Sequence, residues 1–146
     1  GYNAPRHHLL RYRSGAAPLF REVVGPLTTP RRVLEAIADG RADVGPQDSF
    51  AFDLMSRHAP ELTRQVRVVA STDPMPIPAL MASRGADDGM IERLADALVS
   101  TAREPRLQPL LADLCISGFA RIDPRDYALS ERWAKAAEDR GLARIA

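Results

Sequence analysis

Cysteine, lysine and long apolar runs are all scarce in this 146-residue sequence. A single cysteine cannot form a disulfide within the chain, and it cannot build a metal site that needs several thiolates. No apolar run approaches the roughly 20 residues that a membrane-spanning helix needs. The one cysteine, Cys115, stands in the apolar stretch LADLCISGF, which predicts a buried and unreactive thiol.

The sequence also has no large excess of positive or negative charge. Twenty basic residues face nineteen acidic ones, and the formal net charge is +1. This balance gives no electrostatic reason to expect nucleic acid or an anionic membrane surface as a partner. Lys135 is the sole lysine, so almost all the positive charge is arginine, which we interpret mainly as genome composition. The length and the 45% share of hydrophobic residues fit one globular domain.

Motifs that carry catalysis are missing as well. The sequence contains no Gly-x-Ser-x-Gly elbow, no phosphate-binding Gly loop ending in lysine, and no HExxH. The only adjacent histidines, His7 and His8, would point about 100° apart on a helix and could not easily share a metal ion. We therefore predict no catalytic residue, no metal site and no cofactor.

Short β-prone runs alternate with helical stretches, mainly in the first half of the chain. Helix starts are predicted at Thr29, at Asp48 or Ser49, and at Asp87 or Asp88, and a helix stop is predicted at Gly40. The alternation predicts an α/β fold with a mostly parallel sheet. After the last β-prone run the pattern is nearly all helical. The predicted strands are residues 20–24, 42–45, 66–70 and 79–82.

Three predicted helix starts would face the same side of such a sheet: Tyr2-Asn3, Thr28-Thr29 and Asp48-Ser49. Free backbone N–H groups and the helix dipole make helix starts suitable for anions. Ligands of open α/β sheets also collect at the carboxyl ends of the strands. Asp48 suits an anion only if the ligand carries a proton that the carboxylate can accept. From spacing alone Asp48 is either just a helix cap or a cap that also lies in a ligand site.

A more specific pattern runs through residues 31–82. It contains AIADGRADV at 36–44, then Asp48, then RVVAST at 67–72, which leads into Pro76-Ile77-Pro78. In this order the segment resembles the second half of the periplasmic solute-binding proteins of the phosphate, phosphite and phosphonate ABC-transporter family, which have a type 2 periplasmic binding fold.

The resemblance implies a bilobed protein. Residues 1–72 would form the second lobe of the periplasmic-binding-protein-like fold. Residues 73–146 would cross back and give a strand and C-terminal helices to the first lobe, which would be incomplete in this chain. Missing partners for that lobe predict exposed apolar surface and an open sheet edge, which would favour a homodimer.

By the same resemblance, the chain would bind a small anionic solute, such as phosphate or a phosphonate, in a cleft between the lobes. It would act in the periplasm, or on a lipid anchor outside the cytoplasm, and deliver the solute to an ABC permease. Nucleic acid would not be a partner. The implied ligand-binding residues are Tyr2, Asn3, Thr28, Thr29, Asp48, Ser49, Thr72 and Asp73.

Two loops depart from the family pattern. Thr28-Thr29-Pro30 replaces a common Gly-Ser-His, and Gly45-Pro46-Gln47 replaces small apolar residues. Both loops would face the ligand, which leaves ligands other than a phosphonate open. A ligand-sensing regulatory module of the same fold is the alternative to a transport role. An enzyme on a bilobed fold is a third possibility, but it would need histidine and cysteine chemistry that this sequence does not assemble.

Overall fold

A computed structural model describes residues 2–15 and 17–145 of the chain. These residues form seven α-helices and three short 3-10 turns. The turns span Thr101–Arg103, Pro105–Leu107 and Pro124–Tyr127. The helices are α1 (Asn3–Leu9), α2 (Pro30–Ala38), α3 (Ser49–His58), α4 (Pro60–Thr63), α5 (Asp88–Ser100), α6 (Gln108–Asp113) and α7 (Ala128–Asp139).

The chain divides into two compact units. The first unit comprises Gly1–Met75 and Tyr127–Ala146, and the second comprises Pro76–Asp126. The first unit therefore holds α1 to α4 together with α7, and the second holds α5 and α6. The assignment of residues 1–72 and 73–146 to two lobes of a larger protein stays a prediction.

Helix ends follow the local signals in the sequence. At the starts of α2, α3 and α5, the side chains of Thr29, Asp48 and Asp87 accept a hydrogen bond from the backbone N–H three residues later, at 3.3, 2.8 and 2.8 Å. A cap of this kind stabilises a helix by about 1 kcal/mol. Gly40 follows α2 with a φ of +70°. Its N–H and the next one donate back to carbonyls of the last turn at 3.0 and 2.8 Å, which closes the helix. The predicted caps and the predicted stop are confirmed.

The predicted strands do not form. In the described part of the chain there is no β-strand, so the α/β fold with a mostly parallel sheet is wrong. The four β-prone segments are not helical, but they form no ladder, and their apolar side chains stay exposed: Val23 by 53%, Val44 by 48%, Val68 by 64% and Met81 by 88%. A β-prone run becomes a strand only when a second strand supplies hydrogen bonds. The sequence pattern shows the run but not its partner.

Helices α1 and α7 pack together in the first unit and bring the two ends of the chain side by side. Leu10, Ala137 and Leu142 form a buried cluster, and Leu9 and Leu19 pack against it. Because these side chains come from opposite ends of the sequence, their burial closes the unit.

Arg6 joins the same two helices through polar contacts. Its side chain is buried, and its guanidinium donates to the backbone carbonyls of Ala143 at 2.6 Å and Ala134 at 3.1 Å. The carboxylate of Glu138 lies 3.5 Å away. A buried charge is costly unless it is paired and hydrogen-bonded. These contacts satisfy both terminal nitrogens of the guanidinium, whereas its Nε has no hydrogen-bond partner.

The loop between α2 and α3 lies unusually close to α2. Helix α2 buries Leu34 and Ala36, and both α2 and α3 pack on the short helix α4. A Cβ placed on Gly45 would stand only 2.7 Å from Cγ1 of Val33. Glycine therefore lets this loop approach α2 more closely than other residues would. The close approach places residues 46–48 beside the start of α2.

The second unit is built around α5. Leu111 of α6 is its buried hydrophobic residue in the described part of the chain. Arg121 contacts two carboxylates of α5, those of Glu92 at 2.9 Å and Asp96 at 2.6 Å, and so holds the segment after α6 against that helix.

Cys115 corrects a second prediction, because it is exposed rather than buried. It lies just beyond the end of α6 with a φ of +55°. Its apolar sequence neighbours do not shield it, because the helix ends before it.

Candidate functional site

A cleft of about 250 Å³ lies in the first unit, at the N-terminal ends of α2 and α3. The loop before α2 and the loop before α3 supply most of its walls. Four of the eight predicted ligand-binding residues line it. The full lining is Tyr2, Leu27, Thr28, Thr29, Pro30, Val33, Pro46, Gln47 and Asp48.

Thr28 and Thr29 bring two hydroxyl groups to the cleft. The Oγ1 of Thr29 accepts from the backbone N–H of Arg32, so its own proton is left to donate. The Oγ1 of Thr28 accepts from Nη1 of Arg32 at 3.4 Å. The guanidinium of Arg32 therefore stands at the same helix start as the two hydroxyls. Arg31, the preceding residue in the first turn of α2, pairs instead with Glu35 at 2.8 Å.

Asp48 reaches the cleft from the start of α3. Its Oδ1 accepts from the backbone N–H of Ala51 at 2.8 Å, which makes it the cap of that helix. The second carboxylate oxygen is left with acceptor capacity. The structure thus combines the two interpretations of Asp48, because this helix cap also lines a cleft.

Tyr2 lines the cleft from just before α1. Its hydroxyl accepts from the backbone N–H of Ile145 at 2.9 Å, which leaves the hydroxyl proton free to donate. The guanidinium of Arg6 lies over the Tyr2 ring, 5.4 Å from the ring centroid. This cation–π contact and the Ile145 hydrogen bond fix the position of the ring.

The other four predicted site residues do not line the cleft. The amide of Asn3 donates to the hydroxyl of Ser130 at 3.0 Å, so it joins α1 to α7. Asp73 accepts from Arg11 at 2.9 and 3.2 Å on the surface. The hydroxyl of Thr72 donates to the carbonyl of Asp73 at 3.1 Å, and Ser49 is exposed on the first turn of α3.

Other lining residues were not named as ligand-binding in the sequence, although the loop that holds Pro46 and Gln47 was expected to face the ligand. Leu27, Val33 and Pro46 give the cleft apolar walls, and Gln47 adds an amide side chain. The departure of Gly45-Pro46-Gln47 from the family pattern was the available signal for Gln47. No comparable signal marks Leu27 or Val33, which read as ordinary apolar residues of a loop and a helix.

Residues 2–15 and 17–145 contain neither a metal-ligand cluster nor a helix that could span a membrane. No group of three or more His, Cys, Asp or Glu side chains is placed to hold a metal ion there. The ring of His7 stacks on Trp133 at a centroid distance of 5.3 Å, and His8 lies beside Tyr12. No helix in the same residues has the length and apolarity needed to cross a bilayer.

The cleft combines hydroxyl donors, two helix starts and apolar walls. The family model of the phosphonate ABC-transporter periplasmic substrate-binding proteins matches residues 1–127. The chain belongs to this family. The resemblance seen in the sequence is confirmed. Comparisons with curated proteins and with solved structures found no match.

Membership of this family sets the broad function. The phosphonate-family substrate-binding proteins are transport components, not enzymes, and they act outside the cytoplasm. They take a small solute as ligand and an ABC permease as partner.

Proposed function

We propose that the chain binds a small oxyanion of the phosphate or phosphonate kind in the cleft at the starts of α2 and α3. The observation that carries the proposal is the meeting of Tyr2, Thr28, Thr29 and Asp48 at one cleft. These residues come from three separate parts of the sequence, and the family resemblance implies a ligand-binding role for each of them.

The electrostatics of the cleft suit an anion. The positive ends of two helix dipoles meet there, and backbone N–H groups at helix starts are good donors to oxyanions. The hydroxyls of Thr28 and Thr29 add neutral donors. Arg32, at 3.4 Å from the Thr28 hydroxyl, supplies full positive charge with the forked geometry that suits phosphoryl oxygens.

Asp48 restricts which form of the anion is bound. A carboxylate repels a fully ionised phosphonate, but it can accept a hydrogen bond from one that keeps a proton on an oxygen. Leu27, Val33 and Pro46 then provide an apolar surface for the carbon substituent of a phosphonate.

In the full-length protein, we propose that a second lobe closes over this cleft and that the closed form presents a surface to the permease. The protein would act in the periplasm or on a lipid anchor, with binding and release as its whole task. A homodimer of this chain stays a prediction, favoured by the exposed apolar side chains of the β-prone segments.

Calorimetry of the full-length protein against phosphate, phosphite, methylphosphonate and sulfate tests the proposal. We expect binding of at least one of these anions. Thr28→Val removes the hydroxyl at nearly constant volume and should weaken that binding about tenfold, whereas Thr28→Ser keeps the hydroxyl and should bind as the parent does. The proposal fails if none of the four anions binds, or if the Val and Ser variants bind equally well.

A further inference from the structure

Gln47 is the polar side chain of the cleft whose hydrogen bonds are not satisfied. Both the nitrogen and the oxygen of its side-chain amide are inaccessible to solvent, and neither has a hydrogen-bond partner. The amide can donate two hydrogen bonds and accept two. Three of the residues that share the cleft with it, Leu27, Val33 and Pro46, have no polar side-chain atom to offer.

An amide in this state needs an explanation. Most buried polar side-chain atoms in native proteins have a partner, and one without any raises the free energy of the folded state. A methionine or leucine at position 47 would fill the same space without that penalty. The unsatisfied amide therefore adds no hydrogen bond to the folded state, and it belongs to a residue of the cleft wall.

We propose that Gln47 determines specificity, and that the ligand is an oxyanion with an uncharged substituent that both donates and accepts hydrogen bonds, such as a hydroxyl or an amide. This inference rests on the proposed function. Because both amide atoms are covered in the free protein, this proposal includes a rotamer change of the Gln47 side chain that turns its nitrogen and oxygen toward that substituent. The oxyanion itself binds at Thr28, Thr29 and Arg32.

The chemistry of the neighbouring residue sharpens the choice of substituent. The carboxylate of Asp48 suits a positively charged or protonated partner, which its second oxygen can contact while Oδ1 caps α3. A carboxylate binds a positively charged group more strongly than a neutral amide does. A charged substituent would therefore be expected to contact Asp48 and not Gln47. The amide of Gln47 can, however, donate one hydrogen bond and accept another at the same time. A hydroxyl or an amide on the ligand can form both bonds, whereas a methyl group can form neither.

Calorimetry with a matched pair of ligands tests this. The terminal group is a hydroxyl in 2-hydroxyethylphosphonate and a methyl of similar size in propylphosphonate. We expect the full-length protein to bind the hydroxyl compound about tenfold more tightly, the effect of a satisfied hydrogen bond to a buried group. In Gln47→Met the preference should vanish.

The stability of Gln47→Met provides the control. Because the amide makes no hydrogen bond in the free protein, this variant should unfold at the same urea concentration as the parent or a higher one. If plain oxyanions bind but the parent shows no preference within the pair, or the preference survives in Gln47→Met, the role of Gln47 is refuted and the oxyanion site stands. If neither phosphonate nor any plain oxyanion binds, both proposals fall together.

Discussion

The close contact between Gly45 and α2 predicts the stability of a specific pair of variants. In Gly45→Ala the new Cβ would lie 2.7 Å from Cγ1 of Val33 and 3.4 Å from Cδ1 of Ile37. The first distance is about 0.7 Å shorter than ordinary contact between carbon atoms. The loop or the Val33 side chain must therefore shift. We expect a loss of about 1 to 2 kcal/mol in the free energy of unfolding, within the usual range for overpacking.

A double-mutant cycle isolates the contact. Val33→Ala removes Cγ1, so Gly45→Ala made in that background should cost nothing or stabilise by about 0.4 to 1 kcal/mol, since alanine restricts the unfolded chain. Urea unfolding followed by the fluorescence of Trp133, which is buried in the same unit, measures each variant. Gly85→Ala is the control, because no atom lies within 4 Å of its new Cβ.

The cycle can also refute the reasoning. If Gly45→Ala is as stable as Gly85→Ala, the loop does not need glycine for its approach to α2. If the loss is the same with valine or alanine at position 33, the cost comes from the backbone at Gly45 and not from the contact.

Two further predictions concern charged residues. Arg6→Met should lower the free energy of unfolding by about 2 to 3 kcal/mol, because two backbone carbonyls lose a charged donor. Arg6→Lys should recover less than half of this loss, because an ammonium lacks the guanidinium fork. Urea unfolding measures both variants. Equal stability of the Lys variant and the parent would contradict this. Hydrogen bonds from Arg125 hold the pKa of the Asp123 carboxyl below its ordinary value. The pair therefore stabilises the fold fully at pH values above the ordinary pKa, and this stabilisation is lost as the pH falls through the lowered pKa. An NMR titration of Asp123 should move upward in Arg125→Ala; an unchanged midpoint would show that Arg125 is not the cause.

The helix boundaries could be predicted because their signals are local. Thr29, Asp48 and Asp87 each bond to a backbone N–H three residues away, and Gly40 needs only its own left-handed φ. Segments such as 66–70 are different, because a strand depends on a partner far away in the sequence. Their valines gave a strong β signal, and the described chain provides nothing for them to pair with.

The candidate site could likewise be predicted only where it depends on local signals. Helix starts can be found in a sequence, and Thr28, Thr29 and Asp48, which the sequence places at helix starts, line one cleft. Their role in ligand binding stays a prediction. Asn3 also lies at a helix start, but its amide binds Ser130, which is 127 residues away. A contact at that separation depends on how α1 and α7 pack, and no local pattern reveals it.

The exposed thiol of Cys115 makes the chain easy to label. A maleimide dye would attach at this one position without mutation, because the sequence holds no other cysteine. Cys115 belongs to the second unit, whereas the only tryptophan, Trp133, belongs to the first. The unmodified sequence therefore carries an energy-transfer donor in one unit and an attachment point for an acceptor in the other. The efficiency of energy transfer would then report the distance between Trp133 and the dye, with and without solute.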